Sequence, residues 1–210
     1  MTGNRTLRPI LFSAALTWLC ALGGAAMAAP GYVGDLDGLS SISEPGFDAA
    51  YAKAGALPKG FTAVFVSPVG VIEGQDETLD RMNASDRQEM QSYLYTQLTR
   101  ELGKKFTLAD KPGPGVLVVA ASFNTLKSNK PTMSDMQRNP SLDYGRSFGI
   151  GSAGVQIDLR DGASGELLAA FVDHEVGESL DTNTRTIVRW GDAEQFSRDW
   201  AHDLATTLGG

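Results

Sequence analysis

Apolar and polar positions change period several times along the chain, and each change marks an element. Phe61–Ile72, FTAVFVSPVGVI, is an apolar run rich in Val and Phe, which predicts a strand. Pro68 has no N–H to give to a ladder, so this strand bends, ends or lies at an edge there. Met90, Leu94, Leu98 and Leu102 then recur at every fourth position and draw one apolar stripe along a helix. Ser85 with Gln88 reads as its capping box, and Gly103 followed by Lys104 and Lys105 as its end. Phe106–Ala109 is a short strand candidate. Gly115–Asn124, GVLVVAASFN, is apolar on both faces and predicts a central strand. In Gly151–Arg160 the period drops to two, with Val155, Ile157 and Leu159 on one face and Gln156, Asp158 and Arg160 on the other. Asp161–Gly165 supplies turn chemistry, and Glu166–Val176 returns as the second strand of a hairpin. A last helix takes Asp192 as its cap, with Gln195 three residues on, and carries the stripe Phe196, Trp200, Leu204, Leu208.

A helix between two strands favours a parallel, right-handed crossover, and the later strands can pair as an antiparallel meander. Each helix has a single apolar stripe. The expected fold class is therefore α+β: a single mixed β-sheet of about four to five strands with two helices packed on one face. The other face would be wet or covered by the chain that precedes it. That preceding stretch, residues 29–60, is broken by many Gly and Pro and reads as an N-terminal arm, with one short helical turn around Phe47–Lys53. Residues 61–210 read as a single domain with a long loop at 125–150.

The first 28 residues read as a secretory signal peptide. Arg5 and Arg8 precede an apolar run from Pro9 to Leu22, and the small residues GGAAMAA follow. Ala26 and Ala28 satisfy the small-x-small rule for cleavage after Ala28. An uncleaved anchor is the competing reading, since Pro9 to Ala29 is long enough for a bilayer span; Gly23 and Gly24 argue against it. Cys20, the only cysteine, lacks the small residue before it that lipidation requires. Cleavage leaves a chain without cysteine, hence without disulfide, thiolate nucleophile or Cys-ligated metal. The formal charge of −7 becomes −9, because the removed segment holds two Arg and no acid. Such an acidic balance disfavours nucleic acid or an anionic membrane as a partner.

Three segments together resemble the bacterial envelope family called domain of unknown function 3313, many of whose members are lipoproteins. They are Val64-Phe65-Val66-Ser67-Pro68-Val69; the hairpin phrase Leu159-Arg160-Asp161-Gly162-Ala163-Ser164-Gly165-Glu166-Leu167-Leu168-Ala169; and Trp190-Gly191-Asp192 with Trp200-Ala201. The chain departs from the family pattern at Ser67, where Asp is usual, at Ser164, where Thr is usual, and in lacking the lipid-acceptor cysteine. The resemblance implies an envelope location and a fold, and no assigned activity.

Candidate chemistry is sparse. Asp173-His174-Glu175 has ligand-type side chains, but alternation on a strand sends His174 to the opposite face from its neighbours. Asp35, Asp37, Asp76, Glu77 and Asp80 lack the spacing of a calcium loop and read as solvated acids. Ser67 and Ser147 lack a nucleophile elbow. Gly145–Gly154, GRSFGIGSAG, has no G-K-[ST] and opens a strand, so it is not a phosphate loop. Gly149, Gly151 and Gly154 read as strand entry, with close backbone approach as the alternative. No cofactor and no metal are expected.

The 125–150 segment carries more weight than any single residue. Loops longer than about 12–15 residues tend to be functional or disordered. This one sets Lys127, Lys130, Arg138 and Arg146 against Asp135 and Asp143, a local excess of positive charge on an acidic protein, beside apolar Tyr144 and Phe148. Lys127, Lys130, Arg138, Tyr144, Arg146 and Phe148 are the expected partner contacts, with a tolerated insertion as the even alternative. The expected function is that of an exported, noncatalytic envelope protein, periplasmic or extracellular and associated with the outer membrane in one variant of this reading. It would bind an envelope protein or cell-wall polymer. The rivals are a cell-wall-directed hydrolase using carboxylates and a small-ligand or metal carrier using Asp173, His174 or Glu175.

Overall fold

The longest strand organises the sheet. In this computed structural model, which describes residues 32–130, 133–141, 149–178 and 188–209, β6 (Val116–Lys127) buries Leu117, Val119, Ala121 and Phe123 on one face. On one side β6 pairs antiparallel with β7 (Ser152–Asp161), which pairs antiparallel with β8 (Leu167–Val176). On the other side it pairs parallel with β3 (Ala63–Val66) and with the short β4 (Gly70–Val71). These last two are halves of one extended segment interrupted at Pro68. The Ser67 N–H still donates to Val119 O at 2.9 Å, and pairing resumes after the proline.

Two further strands, β1 (Leu39–Ile42) and β2 (Ala49–Lys53), extend the sheet beyond β8, and β5 (Thr107–Leu108) closes the far rim beside β3. The order is β1-β2-β8-β7-β6-β3-β5, with β4 on β6. The expected four to five strands and two helices are therefore corrected. The described residues form one mixed sheet of eight strands with four helices: α1 (Glu77–Asp80), α2 (Ala84–Leu102), α3 (Met133–Arg138) and α4 (Gly191–Leu208). The missed strands are short or lack alternation. The segment expected to turn helically at Phe47–Lys53 holds AAYAK in β2, whose alanines favour helix locally. Sheet pairing overrides that preference: Ala50 and Ala52 are buried on the helix side and Tyr51 on the other.

α2 and α4 pack against one face. Met90, Leu94, Leu98 and Leu102 from α2 and Trp200 and Leu204 from α4 are buried with the inward side chains of β3, β6, β7 and β8. Both helix starts differ from expectation. Asn83, not Ser85, caps α2, accepting from the Asp86 N–H at 2.9 Å. Trp190 occupies the cap position of α4, and the Asp192 side chain is turned elsewhere.

The opposite face is covered in part by the chain entering β1. Gln156 holds the Val33 backbone from both sides, accepting its N–H at 2.8 Å and donating to its carbonyl at 3.1 Å. Tyr32 lies on Tyr51, with ring centroids 6.4 Å apart, and beside Asp158. Burial and the Asp158 carboxylate push the Tyr32 phenol up to about 12.

Candidate functional site

β6 ends, β7 begins, β8 ends and α4 begins at the same end of the sheet, so the chain segments between them all emerge there. A buried polar knot ties their bases together. Asn129, fully buried, donates from Nδ2 to Asp192 Oδ2 at 2.5 Å and to the Gly149 carbonyl at 3.3 Å. The Asp192 N–H returns a bond to Asn129 Oδ1 at 3.2 Å, and the Gly151 N–H donates to Asp192 Oδ2 at 3.0 Å. The Asn129 main chain adds bonds to Arg189 and Gly149. The glycines here are required by space. A Cβ on Gly151 would lie 2.8 Å from Asn129 Oδ1, and one on Gly177 would collide with the Asp192 carboxylate. Close approach, rather than strand entry alone, is what Gly151 serves.

Beside the knot lies a cleft of about 220 Å³, walled by Glu175 and Val176 at the end of β8, by Glu178 just beyond it, and by Asp192, Phe196 and Asp199 from α4. Val176 on its wall is 56% exposed, and Ile150 and Val188, next in the chain to the knot residues Gly151 and Arg189, are 40% and 54% exposed. Deeper in, Asp173 is buried and accepts from Trp200 Nε1 at 2.6 Å and from the Asp48 N–H at 2.9 Å. Burial raises its pKa, against the pull of those bonds. Glu175, exposed at the end of β8, is raised by partial desolvation and then by the charges of Asp173, Asp48 and Asp199. Asp203, beside Gly46, is raised by burial and by Asp199, with His202 opposing.

The expected contact residues fall partly here. Lys127 is exposed at the end of β6, Lys130 follows Asn129, and Arg138 is exposed on α3. Tyr144, Arg146 and Phe148 lie outside the described residues, as do Ser147 and the cleavage region. The 125–150 segment is less uniform than its sequence implied: Thr125–Lys127 complete β6, and Met133–Arg138 form α3 between Pro131 and Pro140. The Asp173-His174-Glu175 trio splits, with Asp173 inside and the other two exposed. Among the described residues no group of three His, Cys, Asp or Glu side chains could hold a metal ion. Asp76 is a helix cap. Although burial pushes its pKa up, hydrogen bonds from Thr125 and from the Leu79 and Thr78 N–H groups win and hold it low. Among the described residues no helix is long and apolar enough to cross a membrane. Sequence reading missed Asn129, which sits in no motif, and took Asp192 for a helix cap, because the partners of both are distant in the chain.

These features define a one-sided mixed-sheet domain with a polar knot under its loop end. The chain belongs to the family described as protein of unknown function (DUF3313), whose family model matches residues 29–204. No curated protein matches the chain. Solved structures similar to it include the PelC dodecamer from Paraburkholderia phytofirmans, at 11% identity and a TM-score of 0.41, covering 77% of this chain and 98% of that one. A protein from Xanthomonas campestris gives 13% identity and a TM-score of 0.43, covering 71% and 85%. A hypothetical protein from Chlamydia trachomatis gives 15% and 0.33, covering 70% and 89%. Likenesses this distant carry no argument about function.

Proposed function

We propose that this is an exported envelope protein that binds another macromolecule, an envelope protein or cell-wall polymer, through the loop end of its sheet. The observation that carries the reading is the pairing of a buried polar base with exposed apolar residues on the segments that leave it. The Asn129–Asp192 knot fixes the base, and Ile150, Val176 and Val188 stand exposed above it. Apolar side chains held in water on a fixed scaffold are the usual make-up of a contact surface. Lys127, Lys130 and Arg138 supply charge beside them, and Tyr144, Arg146 and Phe148 are the further contacts in this reading. Export rests on the basic, apolar, small-residue order of the first 28 residues, with cleavage after Ala28.

The test is photo-crosslinking in cells, with the reactive residue placed at Lys127, Arg138, Ile150 or Val188 and, as controls at the opposite end, at Leu108 or Lys111. One defined adduct from the loop-end positions alone supports the reading, and equal labelling from both ends overturns it. Intact mass of the exported protein checks the address: the expected chain starts at Ala29 and carries no lipid.

A further inference from the structure

At the end of the sheet away from the knot, α2 and α4 finish and β3 and β5 begin. Two hydrogen bonds clip β5 to β3: the Thr107 N–H donates to Thr62 O at 3.1 Å and the Ala109 N–H to Val64 O at 2.8 Å. The Leu108 side chain of β5 lies against Gly103, the residue that ends α2, and Leu108 is 44% exposed. The segments around this apolar knob carry cations. Lys104 and Lys105 follow Gly103, Lys111 follows β5 and Lys59 precedes β3, and all four residues are exposed. Helix-end charge accounts for two of them: Lys104 reaches Glu101 at 2.5 Å, and the Lys105 stem packs on Gly209, where α4 ends. It does not account for Lys59, Lys111 or the exposed leucine. Among the described residues Lys59, Lys105 and Lys111 form no ion pair. The acids in stretches 57–63, 99–116 and 204–209 are Asp110 and Glu101, and Glu101 is already held by Arg100 and Lys104.

We infer that this β5 end is a docking surface for an anionic lipid bilayer, on which the lysines meet headgroup phosphates and Leu108 enters the interface. The make-up of the patch favours that partner. Lysine is a point charge on a flexible stem and suits a diffuse negative surface, whereas the planar fork that would grip a single carboxylate, Arg100, is tied to Glu101. One exposed leucine on a two-residue strand gives far less than the roughly 1,000 Å² of a specific protein interface, and little edge for strand pairing. Interfacial attachment needs only a few cations and a side chain that enters the headgroup region. The acidic balance of the whole chain opposes this, and distance decides the contest. β6 alone spans 12 residues, about 40 Å, so the loop-end acids lie several Debye lengths of about 8 Å from the lysines. The acids on the β7–β8 hairpin, Asp161 and Glu166, stand at least three strand spacings, about 14 Å, from β5, and Glu166 pairs with Lys53. A molecule seated this way turns its loop end away from the bilayer, so both surfaces can be engaged at once.

Flotation of the full exported chain with vesicles of phosphatidylglycerol, and separately of phosphatidylcholine, tests this. The expected result is binding to the first, none to the second, and loss of binding as salt rises. Each cation near an anionic surface contributes about fivefold, so Lys59→Gln/Lys111→Gln should weaken binding by about twentyfold. Leu108→Ser should weaken it several-fold with the salt dependence unchanged. All three positions are exposed, so the melting curves of these variants should match the wild type. Arg81→Gln, which removes an exposed charge on α1 beside the far end of β6, should bind as the wild type does. No binding to phosphatidylglycerol, equal binding to both lipids, or a double lysine variant that binds like the wild type overturns the docking surface. So does an Arg81→Gln variant weakened as much as Lys111→Gln, because net charge would then be the cause. Cross-linking from the loop end reports on a protein or wall partner and is independent of these vesicles, so this surface and the loop-end reading fail separately.

Discussion

Where β7 turns into β8, closure is the business of five consecutive residues. Asp161 Oδ1 accepts from the Ala163 N–H at 3.0 Å, the Ser164 N–H at 2.8 Å and Ser164 Oγ at 2.9 Å, and Gly165 takes φ +75°. At the other end of the same sheet the closing partners, Asn129 and Asp192, are 63 positions apart. The first end is exposed and local, so its geometry needs only residues that are neighbours in the chain. The second is buried and long-range, so it exists only once β6, β7, β8 and α4 are in place. A sheet closed in these two ways should respond to damage differently at each end.

The largest effect is expected from Trp200, which joins the core to the loop end through Asp173. Trp200→Ala should cost about 3–5 kcal/mol, a large part of a domain's roughly 5–15 kcal/mol, and lower the melting point sharply. Trp200→Phe, which keeps the ring and loses the indole N–H, should fall between that variant and wild type. An unchanged melting curve for Trp200→Ala would contradict the burial of the ring.

Asp192→Ala comes next. It leaves the Gly151 N–H and one of the two Asn129 Nδ2 hydrogens without their acceptor, the other still reaching the Gly149 carbonyl, at about 1–3 kcal/mol for each buried group left unpaired. Asn129→Ala should behave alike, and the double variant should cost less than the two singles together, by a coupling of about 0.5–3 kcal/mol in chemical denaturation. Strict additivity would mean that the two side chains do not act as one knot.

Replacing residues 131–148 with a short Gly/Ser linker should change stability by only about 1 kcal/mol, because closure entropy varies slowly with length. Extending the replacement to Asn129 should add the cost of the knot. Denaturant midpoints of the two replacements measure the difference.

The smallest effect is expected at the turn. Asp161→Asn should lower the melting point slightly at neutral pH. Hydrogen bonds from the Ser164 N–H and hydroxyl hold the Asp161 carboxyl below its ordinary value. Its contribution is therefore present above the unfolded pKa and lost as pH falls through the folded one. Melting points of wild type and variant should converge in strong acid, and a gap that persists there would assign the turn's stability to something other than the Asp161 charge.

The same contrast explains what could be read from the sequence. The β7–β8 hairpin, the apolar stripes of α2 and α4 and the break at Pro68 each follow from residues within a few positions of one another. β1 and β2 were hidden because Leu-Ser-Ser-Ile and Ala-Ala-Tyr-Ala-Lys carry little alternation. They become strands by pairing with each other and with β8, whose residues lie more than 100 positions on. The Ser85 cap signal failed because Asn83 is an equally good acceptor two residues earlier. Asp192 looks like a helix cap in one dimension and serves as a cross-link in three. Of the candidate site, the basic residues were legible as a local charge excess, whereas the knot, the acid-walled cleft and the exposed apolar residues beside the knot needed the fold.

The sheet narrows from 12 residues at β6 to four at β1 and two at β5. Each rim thus offers only a few unpaired N–H and C=O groups to another chain; the exposed Ser40 and Ser41 make the β1 rim polar, and β5 exposes Thr107 beside a single apolar side chain, Leu108. Fibril growth and open-ended stacking need a long, flat, apolar border to copy, and this outline withholds one. Backbone pairing at either edge of the described sheet therefore gives a neighbouring copy little to hold.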